Sequence, residues 1–131
     1  MFDFGKSNEE LGTFAPGLIS FQEVPSDEGY VKNSLVMMLK SHTGIVFQIV
    51  FPDYIMHLTR NESYTVWDNY EIREGRYLVL FSRSRFIDAY DPMIAHTADY
   101  SWPGRGTHYG VYTTTHIIDV ITNSKPVITV L

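Results

Sequence analysis

Cysteine is missing from all 131 positions. That excludes a disulfide framework, a thiolate metal site and a cysteine nucleophile, and leaves stability to an ordinary apolar core. Long apolar runs are missing as well. No window approaches the roughly 20 apolar residues of a membrane-spanning helix. The opening MFDFGKSNEE has neither the basic start nor the apolar stretch of a secretory signal. The expectation is a soluble, cytoplasmic protein. The chain also lacks a P-loop, a dinucleotide glycine fingerprint, HExxH and GxSxG. Its closest glycine pair, Gly104 and Gly106 in PGRG, reads as turn chemistry beside a proline. No metal and no cofactor is expected.

Positive charge is scarce at one end. Residues 1–30 carry Lys6 against Asp3, Glu9, Glu10, Glu23, Asp27 and Glu28, so the whole formal charge of −5 resides there. An acidic surface repels phosphate backbones and speeds encounter with cationic partners. Nucleic acid is therefore disfavoured as a partner and a basic protein remains open, while the lack of an apolar span argues against a membrane.

What is present is a packed globular composition: 44% hydrophobic, 15% aromatic and 19% charged. The length suits one domain, residues 1–131, with residues 1–16 as an arm that packs on the body through Phe2, Phe4 or Phe14. Beyond the arm, short β-rich runs alternate with turn residues. GLISFQEV (17–24) ends at Pro25. SLVMMLK (34–40) and IVFQIVF (45–51), separated by SHTG, predict a hairpin, although Leu35, Met38 and Leu39 would also share a helical face. YIMHLT (54–59) and SYTVWD (63–68) predict a second hairpin through Arg60-Asn61-Glu62. RYLVLFS (76–82) is apolar on both parities and so predicted to be buried on both faces. SRFIDAYD (84–91) predicts a helix capped by Ser84, with Phe86, Ile87 and Tyr90 inward and Pro92 as its stop. HYGVYT (108–113), HIIDVIT (116–122) and PVITVL (126–131) close the chain. Together these predict an α+β fold, predominantly antiparallel β, as a single curved sheet or half-open barrel with one or two short helices.

Chemistry concentrates in HTADYSWPGRGTHYG (96–110). His108 and His116 cannot share a metal ion. On one continuous strand they lie roughly 26 Å apart. If Thr114-Thr115 turns the chain, His108 faces Ile121 and the gap is still roughly 17 Å. His96 can fold back towards His108, with Asp99 orienting an imidazole and Arg105 holding an anion, which would make a general-base or small-molecule site. Alternatively the loop displays Tyr100 and Trp102 outward. Arg73, Arg76, Arg83 and Arg85 flank RYLVLFS, where they either build an anion pocket with Arg105 or are neutralised by Glu74, Asp88 and Asp91. Asp88 and Asp91 as a glycosidase pair are disfavoured, because two carboxylates at the end of a short helix are usually just solvated.

The sequence holds nine tyrosines, several beside acids, with Trp67 and Trp102 in or beside such groups. Tyr and Trp offer large rigid contact area with a polar tip. The expectation is a non-catalytic protein-binding module, acidic and inhibitor-like, recognising a cationic protein through Tyr100, Trp102, Arg105, Tyr70, Trp67 and Tyr90. The alternative is a small-molecule-binding or hydrolytic site built from His96, Asp99, Arg105 and His108. A third reading is a structural subunit that forms homo-oligomers through an exposed β edge.

Overall fold

The computed structural model describes residues 15–25, 33–64, 68–90 and 106–131. Its strands are β1 (Gly17–Pro25), β2 (Asn33–Lys40), β3 (Val46–Phe51), β4 (Tyr54–Asn61), β5 (Ile72–Glu74), β6 (Leu78–Arg83), β7 (Thr107–Tyr112), β8 (His116–Thr122) and β9 (Val127–Val130). A 3-10 turn follows β4 at Glu62–Tyr64, and residues 85–90, here α1, are helical. All strand pairings are antiparallel. The antiparallel-dominated α+β class therefore holds. The strands divide between two sheets, of order β1-β2-β3-β9 and β4-β8-β7-β6-β5. Among the described residues no helix is long and apolar enough to cross a membrane.

Period-two burial decides the ambiguous segment 34–40. Leu35, Met37 and Leu39 are fully buried while Val36 and Met38 between them are only partly so, as in a strand. A helix would have scattered these five side chains. The expected hairpin with β3 forms, from Leu35 opposite Phe51 to Lys40 opposite Val46. Its loop closes with Ser41 N–H donating to the Ile45 carbonyl at 2.8 Å and Gly44 at φ +92°.

The two sheets pack face to face. Leu35, Met37, Leu39, Phe47, Ile49 and Phe51 of the first meet Leu78, Tyr109, Val111, Ile118 and Val120 of the second in one buried cluster. Each fully buried aliphatic or aromatic side chain stabilises the fold by about 2 kcal/mol.

The second sheet is also buried on its outer face. Val79, Phe81, His108, Ile117, Asp119 and Ile121 have the opposite parity to the inter-sheet residues and are all buried. Within residues 76–82 the expected two-sided burial is met at Leu78, Val79 and Phe81, while Arg76 and Ser82 are exposed. Helix α1 covers part of this face, with Ile87 packed on Ile121 and Phe86, Tyr90, Ile55 and Met56 around them.

Of the partner expected for 54–59, residues 65–67 lie outside the described residues, and Glu62–Tyr64 form a 3-10 turn rather than strand. β4 pairs instead with β8, Met56 opposite Ile121 and Asn61 opposite His116. The physical reason lies in β8, which is apolar on both parities and occupies an interior position that needs a neighbour on each edge. β7 supplies one and β4 the other. Arg60-Asn61-Glu62 accordingly ends a strand rather than reversing it, with the Asn61 side chain accepting the Ser63 N–H at 2.9 Å. Strand β5, which the sequence reading did not anticipate, completes the other edge beside β6.

Candidate functional site

Three side chains far apart in sequence meet on the outer face of the second sheet. His108 of β7 places Nδ1 2.8 Å from Ser84 Oγ and Nε2 2.7 Å from Asp119 Oδ1 of β8. With Asp119 as a carboxylate, the ring proton sits on Nε2, and Ser84 O–H donates to Nδ1. Ser84 Oγ in turn accepts the Ile87 N–H at 3.2 Å, which is the predicted helix cap. Arg60 lies 3.5 Å from the other Asp119 oxygen. The His108 ring is stacked on Phe81, centroids 3.9 Å apart and planes within 4°, with Phe86 edge-on at 5.2 Å.

A Ser–His–Asp chain has the composition of an acyl-transfer site, but burial decides what this one does. Ser84, His108 and Asp119 are 1%, 2% and 3% exposed. A cavity of about 240 Å³ lies alongside, lined by Arg83, Gly106 and Thr107 as well as Ser84 and His108. The serine oxygen is nevertheless screened, and both of its partners are fixed by the fold. The chain of bonds ties the start of α1 to the middle of the sheet.

The exposed counterpart lies just outside. Tyr70 has the Arg83 guanidinium 4.6 Å and the Arg85 guanidinium 4.5 Å from its ring centroid. Its hydroxyl donates to the Asp88 carboxylate, and this bond, more than desolvation, pushes its pKa up. Arg83 Nε donates to the Tyr70 carbonyl at 2.6 Å, and Arg85 Nε donates to Asp68 Oδ2 at 2.5 Å. The Arg85 side chain beside Asp68 holds that carboxyl below its ordinary value, helped by the Tyr70 N–H at 3.0 Å. Arg85 is neutralised locally, though by Asp68 rather than Asp88, while Arg83 is held by the Tyr70 carbonyl and ring. Arg73 faces another way, donating from Nη1 to the Tyr112 hydroxyl at 2.9 Å.

A third cluster bridges the sheets at their edge. Tyr54 O–H donates to Glu23 of β1, and His57 Nε2 lies 2.8 Å from the same carboxylate oxygen. These two bonds lower the Glu23 pKa. Burial first, then the Glu23 bond, pushes the Tyr54 hydroxyl up to about 12.

Of the residues singled out in sequence, His108 is found on a strand and sealed, not in an open loop. The register places it opposite Ile121, as a turn at Thr114-Thr115 requires. Tyr70 is part of the exposed cluster, while Tyr90 packs edge-on to Phe86 at 5.2 Å and so serves the helix contact. Trp67, His96, Asp99, Tyr100, Trp102 and Arg105 lie outside the described residues, as do Phe2, Phe4, Phe14 and Asp91. No group of three or more metal-ligating side chains occurs among the described residues. Ser84 and Asp119 were missed as partners of His108, although one signal was readable: Asp119 is the lone charge in the apolar run HIIDVIT. Compared with known protein families, curated proteins and solved structures, the chain matches none.

Proposed function

We propose that this is a non-catalytic recognition module whose partner is a cationic protein. The observation that carries this reading is the Tyr70 cluster. Tyr and Arg dominate binding hot spots because they combine contact area with directional polar groups. Here Tyr70, Arg83 and Arg85 are immobilised in advance by Asp68, Asp88 and the backbone. Side chains already ordered lose less entropy when a partner docks. The sign of the partner follows from charge rather than geometry: the chain carries −5, all of it within residues 1–30. The sealing of Ser84, His108 and Asp119 supports a structural role for the one arrangement that resembles a hydrolytic site.

The test is capture on immobilised protein with elution by a salt gradient. Wild type is compared with Tyr70→Ala and Arg85→Glu, and each variant is checked for folding by thermal melt. A basic protein held by wild type, released by moderate salt and lost on Tyr70→Ala supports the reading. Equal capture by both folded variants, or retention indifferent to salt, sinks it. The hydrolytic alternative is tested by a serine-directed phosphonate, expected to leave Ser84 unlabelled.

A further inference from the structure

At the other end of β6 from α1, the outer face of the second sheet opens into a larger cavity of about 690 Å³. That volume lies within the range, roughly 300–1,000 Å³, typical of small-molecule sites. Val79 contributes to its floor, Tyr77 and Tyr112 are aromatic walls, Arg73 and Arg76 are cationic, and Glu62 is its one acid among the described residues.

The fold places each group for a local reason. Arg73 on β5 stands opposite Phe81 of β6, and its guanidinium carbon lies 5.8 Å from that ring's centroid. Its bond to the Tyr112 hydroxyl fixes the direction of the guanidinium. Gly75, at φ +100°, turns the chain between β5 and β6 and sets Arg76 on the rim, where it is exposed. The Tyr112 N–H donates to the Tyr77 carbonyl at 2.7 Å, holding the two aromatic residues side by side. Glu62 is anchored across the cavity by its N–H to the Thr115 carbonyl at 3.2 Å.

We propose that this cavity binds a small organic anion: a carboxylate held by Arg73 and Arg76, attached to a planar ring that lies against Tyr77 and Tyr112. Guanidinium groups match a carboxylate with paired N–H donors, and aromatic walls suit a flat apolar body. Glu62 sets the limit on charge, because a second negative group on the ligand would face its carboxylate. The site therefore discriminates a monoanion from a dianion of the same shape.

The experiment is a titration of the isotope-labelled full chain followed by amide NMR, with benzoate, benzyl alcohol and phenyl phosphate as probes. It uses no protein partner, so its outcome is independent of recognition at Tyr70. Benzoate is expected to give saturable shifts at Gly75, Arg76, Val79 and Tyr112 below about 10 mM, within reach of so small a ligand. Benzyl alcohol should bind at least about tenfold more weakly. Arg76→Ala, a substitution at an exposed position, should weaken benzoate by a similar factor and leave the alcohol unchanged. Glu62→Gln should strengthen phenyl phosphate more than benzoate. Absence of saturable shifts with benzoate overturns the proposal. So does equal binding of benzoate and benzyl alcohol, or an Arg76→Ala protein that binds benzoate as wild type does.

Discussion

His108 shows how a single residue can look reactive in a sequence and be structural in the fold. Its two nitrogens are both used, its ring is stacked, and it is 2% exposed. Replacing it with leucine strands the Asp119 carboxylate in the sheet with Arg60 alone. Leaving a buried acceptor without its hydrogen-bond donor costs about 1–3 kcal/mol, and more when the acceptor is charged, so His108→Leu should lower stability by at least that order in urea unfolding. His108→Leu combined with Asp119→Leu should recover part of the loss, because the buried carboxylate is gone and only the half-exposed Arg60 is left without its partner. Tyr54 carries a second residue-scale prediction. Its raised pKa means that the folded state favours the neutral phenol. That contribution is complete below pH 10 and is lost as pH climbs towards about 12. Glu23 behaves in the opposite sense. Its lowered pKa gives stability that is present above 4.5 and lost as the carboxylate protonates at more acid pH. Tyr54→Phe should flatten the alkaline arm of a stability–pH profile, and Glu23→Gln the acid arm. Unchanged arms would contradict the bridge between β1 and β4.

The helix and the strand that follows it test the element scale. Helix α1 is short, and few of its own bonds stabilise it. It depends on the Ser84 cap and on Ile87 against Ile121. Ser84→Ala removes both the cap and the hydroxyl that meets His108, and should cost about 1–3 kcal/mol. A larger cost is expected of Ile87→Ala, about 2–4 kcal/mol, from lost burial and the cavity left behind. Gly106 opens β7 at φ +82°, where a Cβ would lie 2.8 Å from Ile121 Cγ2 and 3.3 Å from Ile55 Cδ1. Ile121 is fully buried and β-branched, so it yields little space. Gly106→Ala should therefore lower the melting temperature by several degrees, from a cost of about 1–3 kcal/mol. An alanine variant that melts with wild type would show that the loop relaxes freely.

Across the whole molecule, charge and tertiary contacts act at different ranges. Association with a basic partner should slow steeply as salt rises, because screening reaches about 10 Å at 0.1 M. Charge reversal at Glu9, Glu10, Asp27 or Glu28 should reduce the association rate more than the dissociation rate, measurable by stopped-flow. Stability depends instead on the contact between sheets. β9 pairs with β3 from Val127 opposite Val50 to Val130 opposite Phe47, and Ile128 packs against the shared core. Shortening the chain after Lys125 uncovers the edge of β3 beside Phe47 and Ile49, and should make the protein aggregate at temperatures where wild type stays dispersed. Light scattering during a thermal ramp reads this directly.

Local chemistry determined much of this protein from sequence alone. Alternation and turn residues predicted β2 and β3 with their hairpin loop, and the β-runs of β7 and β8, with a turn at Thr114-Thr115 as one of two readings. Ser84 announced the start of α1, and the double-sided apolar pattern of 76–82 announced a buried strand. These features depend on neighbours within a few positions. Tertiary structure decided what depends on distant ones. It separated the strands into two sheets and drew β4 to β8 across the chain, because β8 needs covering on both edges. It also joined Ser84, His108 and Asp119, separated by 24 and 11 positions, into one buried relay. Tyr70 was picked out by composition, but only folding set two guanidinium groups against its ring. Pairing over such separations depends on which apolar faces remain uncovered once local structure has formed, and a one-dimensional pattern does not record that choice.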